Sequence, residues 1–119
     1  MKDSRQLKVW QKAHSLTLEI YKITSQFSKE ELYGLTSQMR RSSASIPTNI
    51  AEGCGRRTDA ELARFLVIAM GSASELEYQL ILSCDLEYIG QLDYDRLTND
   101  VTEVKRMLTA FIQKLNADG

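Results

Sequence analysis

Near the carboxyl end of the sequence, apolar residues recur at alternating steps of four and three, in the series Leu97, Val101, Val104, Leu108, Phe111 and Leu115. Such steps return a side chain to one face of an α-helix, because the helix completes a turn in about 3.6 residues. The spacing predicts an amphipathic helix that buries this face. We expect Asp93 or a nearby residue to cap its start, after a break at Gly90.

Three earlier segments show the same periodicity. The predicted first helix ends near residues 27–28, and its core stripe consists of Val9, Ala13, Leu16, Ile20, Ile23 and Phe27. The predicted second helix spans residues 35–54, with a stripe of Leu35, Met39, Ser42 or Ser43, Ile46, Ile50 and Gly53. The predicted third helix follows a capping box of Thr58 and Glu61 and ends at Gly90, and its stripe consists of Leu62, Leu66, Ala69, Ala73, Leu76 and Leu80. Strand-like alternation is missing, so the segments predict an all-α fold.

Four amphipathic helices with short connections pack most simply as an antiparallel, up-down-up-down four-helix bundle. A length of 119 residues lies within the usual size of one domain, so we expect a single domain over residues 1–119. Pro47 lies inside the predicted second helix, where it removes a backbone hydrogen bond. Because the apolar spacing continues across Pro47 without a change of phase, we expect the second helix to be kinked there.

Two patches of small residues, at 42–45 and 71–74, predict close contact between the second and third helices. The third helix is also apolar outside its core stripe, at Phe65, Ile68, Met70, Ile81 and Leu82. A helix that is apolar around much of its girth lies at the centre of a protein or at an interface. We therefore expect the third helix to contact either several other helices or another subunit.

Charge is distributed unevenly between the two halves of the chain. Residues 1–57 carry 10 Lys and Arg against 5 Asp and Glu, whereas residues 58–119 carry 5 against 11. The net charge of −1 argues against a generic binder of polyanions, and the polarity predicts pairing between basic and acidic helices, within the bundle or between subunits. The longest apolar run, 62–70, contains Arg64 and is shorter than the roughly 20 residues of a membrane span. With no signal-peptide pattern at the start, we expect a cytoplasmic protein that does not enter a membrane.

The sequence lacks the residue sets that common catalytic and metal sites need. A di-iron bundle needs two Glu-x-x-His pairs, and the only histidine is His14. Cys54 and Cys84 stand alone and cannot complete a four-ligand zinc site, so we expect them to stay reduced as small hydrophobic residues. We therefore expect a protein that is not an enzyme, with no cofactor, no metal and no identifiable small-molecule substrate.

One polar group on the predicted second helix has two interpretations. It consists of Arg41, Ser45, Asn49 and Glu52 on one face, with Arg40, Arg56 and Arg57 nearby. In the first interpretation, RNA, DNA or an acidic partner binds an arginine-rich surface made of Arg40, Arg41, Arg56 and Arg57. In the second, hydrogen bonds join a structural network made of Arg41, Asn49, Glu52 and Glu75. The second is favoured, because polar residues beside a tight helix contact need partners.

Several motifs resemble one protein family. They are Val9-Trp10-Gln11-Lys12-Ala13, Tyr33-Gly34-Leu35, Gln38-Met39-Arg40-Arg41, Ser45-Ile46-Pro47-Thr48-Asn49-Ile50-Ala51-Glu52-Gly53, and Phe65-Leu66-Val67-Ile68-Ala69-Met70-Gly71-Ser72 with Glu75-Leu76. Together they resemble the bacterial four-helix-bundle proteins named after the intervening sequences of 23S ribosomal RNA genes, to which the accessory proteins of diversity-generating retroelements are related. The resemblance covers residues 7–90.

The resemblance implies a homo-oligomer, pentameric in the retroelement branch, with no known enzymatic activity. In that branch it also implies nucleic-acid binding through a basic surface. The family's motif positions in this chain are Arg40, Arg41, Asn49, Glu52, Gly53 and Arg57. Two functions follow as hypotheses: the first is an oligomeric scaffold or interaction protein, and the second is an RNA- or DNA-binding accessory module.

Overall fold

The computed structural model describes residues 3–118, which form four α-helices and no strand. The helices are α1 (Lys8–Thr24), α2 (Leu35–Cys54), α3 (Asp59–Asp85) and α4 (Gln91–Asp118). Short 3-10 turns at Ser4–Gln6 and Lys29–Glu31 precede α1 and α2. The prediction of an all-α fold with four helices is confirmed.

Neighbouring helices pair with their residue numbers running in opposite directions. Ser42 of α2 bonds to Gln79 of α3, whereas Ser45, further along α2, bonds to Ser72, which comes earlier on α3. The pairs that join α1 to α2 and α1 to α4 show the same trend. The body measures 45 × 23 × 20 Å. Its long dimension is close to the length of about 42 Å that α4 has at a rise of 1.5 Å per residue.

The apolar stripes predicted from the sequence form the core. Every member of the first, second and third stripes is buried, including both Ser42 and Ser43. In the fourth stripe, Phe111 is half-buried and the other five residues are buried. Burying one large apolar side chain contributes roughly 1.5–3 kcal/mol. These interior faces are therefore the main source of the bundle's stability.

The end of α1 differs from the prediction. The helix ends at Thr24, before the predicted end at 27–28. The hydroxyl groups of Thr24 and Ser25 donate to carbonyl oxygens of the last turn, and the next two amides bond three residues back instead of four. Phe27 is buried although it lies outside the helix, which explains why the apolar spacing continues as far as this residue.

The end of α3 also corrects a prediction. Gly90 does not close this helix, which ends at Asp85. The residue in the left-handed conformation is Glu87, with φ 65°. Its amide bonds to the carbonyl of Cys84, and the amide of Tyr88 bonds to the carbonyl of Ser83, in the pattern of a Schellman motif. The sequence pointed to Gly90 because glycine adopts positive φ most easily.

The start of α4 lies slightly earlier than predicted. The helix begins at Gln91, so Asp93 lies within its first turn and does not cap it. At the start of α3 the predicted cap is present, because the hydroxyl of Thr58 accepts from the amide of Glu61 at 3.1 Å. A helix cap can therefore be predicted from the sequence where a side chain forms it, as at Thr58.

α2 and α3 pack closely along their small residues. The hydroxyl oxygens of Ser45 and Ser72 are 2.8 Å apart, which brings the two predicted small-residue patches together. A Cβ atom on Gly53 would lie 2.8 Å from Cδ1 of Leu62 and 3.0 Å from Cβ of Phe65, which shows how closely the end of α2 approaches α3. α2 is continuous through Pro47, and the kink there stays a prediction.

Among the described helices, α3 alone is long and apolar enough to cross a membrane by length and composition, with a mean hydropathy of 1.3. One third of that stretch is buried inside the bundle. The short apolar run at 62–70, which contains Arg64, did not predict this property. A core helix of a bundle has the same composition, and Leu66, Ala69, Ala73 and Leu76 of α3 are completely buried.

Candidate functional site

Arg40 spans the contact between α1 and α2. Its Nε donates to the hydroxyl of Thr24 at 2.9 Å, and its Nη2 donates to the carbonyl of Tyr21 at 3.3 Å. The guanidinium carbon lies 4.9 Å from the centre of the Tyr21 ring, within the range of a cation–π contact. These contacts hold Arg40 against α1 and make it a structural link between two helices.

Arg41 is exposed, and within residues 3–118 its one hydrogen bond is a long contact of 3.4 Å to the hydroxyl of Ser37. Its side chain lines a groove of about 470 Å³ between α2 and α3, which we call the α2–α3 groove. Glu75 of α3 lines the same groove. The structure therefore brings Arg41 and Glu75 to one cavity.

Asn49 and Glu52, the other members of the predicted network, have different partners. The Nδ2 atom of Asn49 donates to the carbonyl and to the hydroxyl of Ser45, at 2.8 and 2.9 Å. Glu52 is exposed and forms an ion pair of 3.3 Å with Arg56, one turn further along α2. In the described part of the chain, no hydrogen bond connects the four residues of the predicted network to one another.

Three arginines surround the turn between α2 and α3. The guanidinium carbons of Arg56 and Arg64 each lie 4.7 Å from the centre of the Phe65 ring. Arg57 is exposed in the turn and lines a small pocket together with Arg56. Sequence reasoning did not include Arg64, although an arginine beside a half-buried aromatic residue is a usable signal. We call Arg56, Arg57 and Arg64 the arginine cluster.

The predicted arginine-rich surface therefore divides into two separate parts. Fifteen residues of helix and turn separate Arg41 from Arg56, which corresponds to about 22 Å at the helical rise. Arg40 and Arg41 lie on the first half of α2, whereas Arg56 and Arg57 follow its end. A single small ligand cannot contact both parts at the same time.

The described residues also show where potential metal ligands lie. Within residues 3–118, no three His, Cys, Asp or Glu side chains are grouped closely enough to hold a metal ion. The ring of His14 stacks on Trp10, with 4.9 Å between the ring centres. Cys54 is buried and Cys84 is half-buried.

The outer face of α3 carries a row of exposed apolar residues. Val67, Ile68, Tyr78 and Ile81 are 57%, 42%, 60% and 40% exposed. With Gly71 they lie on one side of α3, because Gly71 follows Val67 by four residues, Tyr78 follows Gly71 by seven and Ile81 follows Tyr78 by three. We call these five residues the α3 stripe. The sequence analysis placed Ile68 and Ile81 outside the core but missed Val67 and Tyr78, because the core face of α3 uses the same apolar residue types.

Comparison with known proteins places this chain in a family. A family model described as 23S rRNA-intervening sequence protein matches residues 5–110. The chain belongs to this family. The match confirms the resemblance found in the sequence, and it spans the α2–α3 groove, the arginine cluster and the α3 stripe of this intervening-sequence protein.

A solved structure is similar over nearly the whole chain. It is a protein of unknown function from the S23 ribosomal protein family of Bacteroides thetaiotaomicron, which is 30% identical to the intervening-sequence protein and has a TM-score of 0.82. The similarity covers 88% of this chain and 95% of that one. No curated protein matches the chain. The family match and the similar solved structure agree with the four-helix fold, and neither assigns a function.

Proposed function

We propose that this intervening-sequence protein is a non-enzymatic, homo-oligomeric scaffold or interaction protein. The observation that carries the proposal is the α3 stripe, with four large apolar side chains that are 40–60% exposed on one helix face. Contiguous exposed apolar patches generally mark protein contacts, because each Å² left in water costs about 25 cal/mol. The family resemblance supports the same function and implies five copies in the retroelement branch.

The partner that fits the α3 stripe is a second copy of the chain. α2 presents an outward row of small residues, Ala44, Thr48 and Ala51, at steps of four and three. Small residues let another helix approach closely, and the large side chains of the α3 stripe would fill the space above them. Since the two faces differ, one face of each copy would pack against the other face of the next.

Light scattering on the purified protein tests this assembly. We expect a mass that is a multiple of the 13.5 kDa chain and that is retained at high salt, because the contact is apolar. Val67→Lys, which places a charge in the α3 stripe, should reduce the mass to that of one chain. Leu92→Lys changes a residue that is 86% exposed outside the stripe and should leave the mass unchanged. A wild-type protein with the mass of a single chain would contradict the proposal.

A second candidate function, an RNA- or DNA-binding accessory module, is supported by the arginine cluster. Arginine forks bind phosphate oxygens bidentately, and exposed guanidinium groups near an aromatic ring suit a nucleic-acid backbone. Glu52 pairs with Arg56, whereas Arg57 and Arg64 form no ion pair within residues 3–118. The cluster therefore has two unpaired cations available for phosphates.

Titration of a fluorescent pool of short RNA at two salt concentrations tests the second function. Binding through phosphates should weaken steeply as salt rises, because the release of each counterion into a more concentrated salt solution is less favourable. The double substitution Arg57→Gln and Arg64→Gln should reduce both the affinity and its salt dependence. Arg106→Gln, at an exposed position of α4, is the matched control. Binding that does not depend on salt, or that survives the double substitution, would exclude the arginine cluster.

A further inference from the structure

We propose that the α2–α3 groove binds a small zwitterion of the α-amino acid type. Its volume of about 470 Å³ lies within the range of about 300–1,000 Å³ that is usual for small-molecule sites. All of its lining residues are polar: Gln38, Arg41, Ser42, Ser45, Ser72 and Glu75. A groove lined only by polar and charged residue types favours a hydrophilic ligand. This proposal does not depend on the oligomer or on nucleic-acid binding.

The groove carries one cation and one anion on different helices. Arg41 belongs to α2 and Glu75 to α3. In the part of the chain that the structure describes, neither side chain takes part in an ion pair. A ligand that carries a carboxylate and an ammonium group a few bonds apart could pair with both. The guanidinium would donate to the ligand's carboxylate, and Glu75 would accept from its ammonium group.

The floor of the groove contains two serine hydroxyls that share one hydrogen bond. The oxygen of Ser45 accepts from Nδ2 of Asn49 at 2.9 Å and shares one hydrogen bond of 2.8 Å with the hydroxyl of Ser72. Only one of the two serine hydroxyls can donate in that shared bond. No hydrogen bond of the described residues uses the proton of the other hydroxyl. One donor of the Ser45–Ser72 pair is therefore left for an oxygen atom of a ligand.

The other hydroxyl of the groove is already used. The hydroxyl of Ser42 donates to Oε1 of the buried Gln79 at 2.6 Å. The groove therefore offers the guanidinium of Arg41, the side-chain amide of Gln38 and one serine hydroxyl as donors, and the carboxylate of Glu75 as the charged acceptor. An anion such as phosphate would be repelled by Glu75, and a simple cation would be repelled by Arg41. A zwitterion satisfies both charges.

Isothermal titration calorimetry with glycine and with L-serine, at concentrations up to about 10 mM, tests the proposal. We expect saturable binding of at least one of them and no saturable binding of propionate or propylammonium, which each carry one charge. Arg41→Gln and Glu75→Gln should each weaken the binding at least about tenfold, because each removes one charge-assisted contact. Arg106→Gln should leave it unchanged, and thermal unfolding should show that all three variants are folded.

Three results would overturn the proposal. No binding of either amino acid would remove it, and binding that both groove variants retain would place the site elsewhere. Propionate binding as tightly as the amino acids would show an anion site without a role for Glu75.

Repeating the titration on Val67→Lys separates ligand binding in the groove from assembly, because the groove residues are unchanged in that variant. Binding by both proteins would show that the groove acts independently of the oligomer, whereas binding by the wild type alone would contradict that independence.

Discussion

The phenolic hydroxyl of Tyr88 donates a hydrogen bond of 2.9 Å to Oε2 of Glu31, which lies 57 residues earlier in the chain. The other carboxylate oxygen of Glu31 accepts from the amide of Leu35 at 3.2 Å, at the start of α2. The ring of Tyr88 also packs against the ring of Phe27, with 5.3 Å between their centres. One carboxylate therefore links the α1–α2 connection to the α3–α4 connection at this end of the bundle.

This link predicts a loss of stability in alkaline solution. The hydrogen bond to Glu31 is the main cause that raises the pKa of Tyr88, followed by partial burial and the charges of Glu31 and Glu30. The pKa of Tyr88 in the folded state therefore lies above the unfolded value of about 10. Below that pH, the hydrogen bond between Tyr88 and Glu31 makes its full contribution to the stability of the fold. It is lost as the pH rises through the folded-state value, where the phenolate forms beside a carboxylate.

Thermal unfolding of the wild type and of Tyr88→Phe measures this contribution. We expect the wild type to have the higher Tm at neutral pH, and we expect the difference to shrink above a pH of about 10. Tyr94→Phe is the control, because Tyr94 is half-buried and its hydroxyl has no hydrogen bond among the described residues. A difference in Tm that stays constant through this pH range would show that the phenol and Glu31 are not linked in solution.

Glu87 holds a backbone conformation that glycine adopts more easily, with φ 65° at the end of α3. The left-handed conformation costs a residue with a Cβ about 1–2 kcal/mol, although glycine loses part of this advantage through the entropy of the unfolded chain. Glu87→Gly should therefore raise the free energy of unfolding in urea by about 1 kcal/mol. Glu87→Ala keeps the Cβ and should give no comparable gain. An equal gain from alanine would attribute the effect to the lost charge.

Apolar spacing predicted the buried faces of the helices more accurately than their ends. A buried face involves many side chains over several turns, so one exception such as Phe111 does not obscure it. A helix end depends on one or two local hydrogen bonds. The hydroxyl of Thr24 and the left-handed backbone of Glu87 decide two of these ends, and neither contributes to a periodic pattern.

The candidate site shows the same limit. Spacing along α2 predicted that Arg41 and Asn49 share a face with other polar residues, and the two small-residue patches predicted the contact with α3. Neither pattern shows which polar side chains bond to one another. The close contact between Ser45 and Ser72 determines which polar residues meet across the two helices. It brings Arg41 and Glu75 to one groove, while Asn49 bonds back to Ser45.

A buried polar pair between α2 and α3 predicts a non-additive effect of mutation. Ser42 and Gln79 are 3% and 4% exposed, and the serine hydroxyl donates to the amide oxygen at 2.6 Å. Ser42→Ala leaves that oxygen without its donor, which should cost about 1–3 kcal/mol of stability. Combining it with Gln79→Met removes the unpaired amide and keeps a similar length. In a double-mutant cycle measured by urea unfolding, the combined loss should be smaller than the sum of the single losses, whereas additivity would show that the pair is not coupled.

The neighbouring arginines of α2 should differ in their effect on stability. Arg40→Ala removes two hydrogen bonds and the contact with the Tyr21 ring, and it should lower the free energy of unfolding by about 1–2 kcal/mol. Arg41→Ala removes one long contact of an exposed side chain, so the change should be within about 0.5 kcal/mol.

Urea unfolding should be measured for both alanine variants and for Arg40→Lys. The comparison distinguishes an arginine that supports the fold from one that is free to bind a ligand. Lysine keeps the charge but lacks the planar fork that contacts Thr24 and the Tyr21 carbonyl together, so it should restore only part of the loss. Equal losses at both positions would show that Arg41 also supports the fold and is less available to a ligand. A loss confined to Arg40 would assign the structural interpretation to Arg40 and leave Arg41 for the α2–α3 groove.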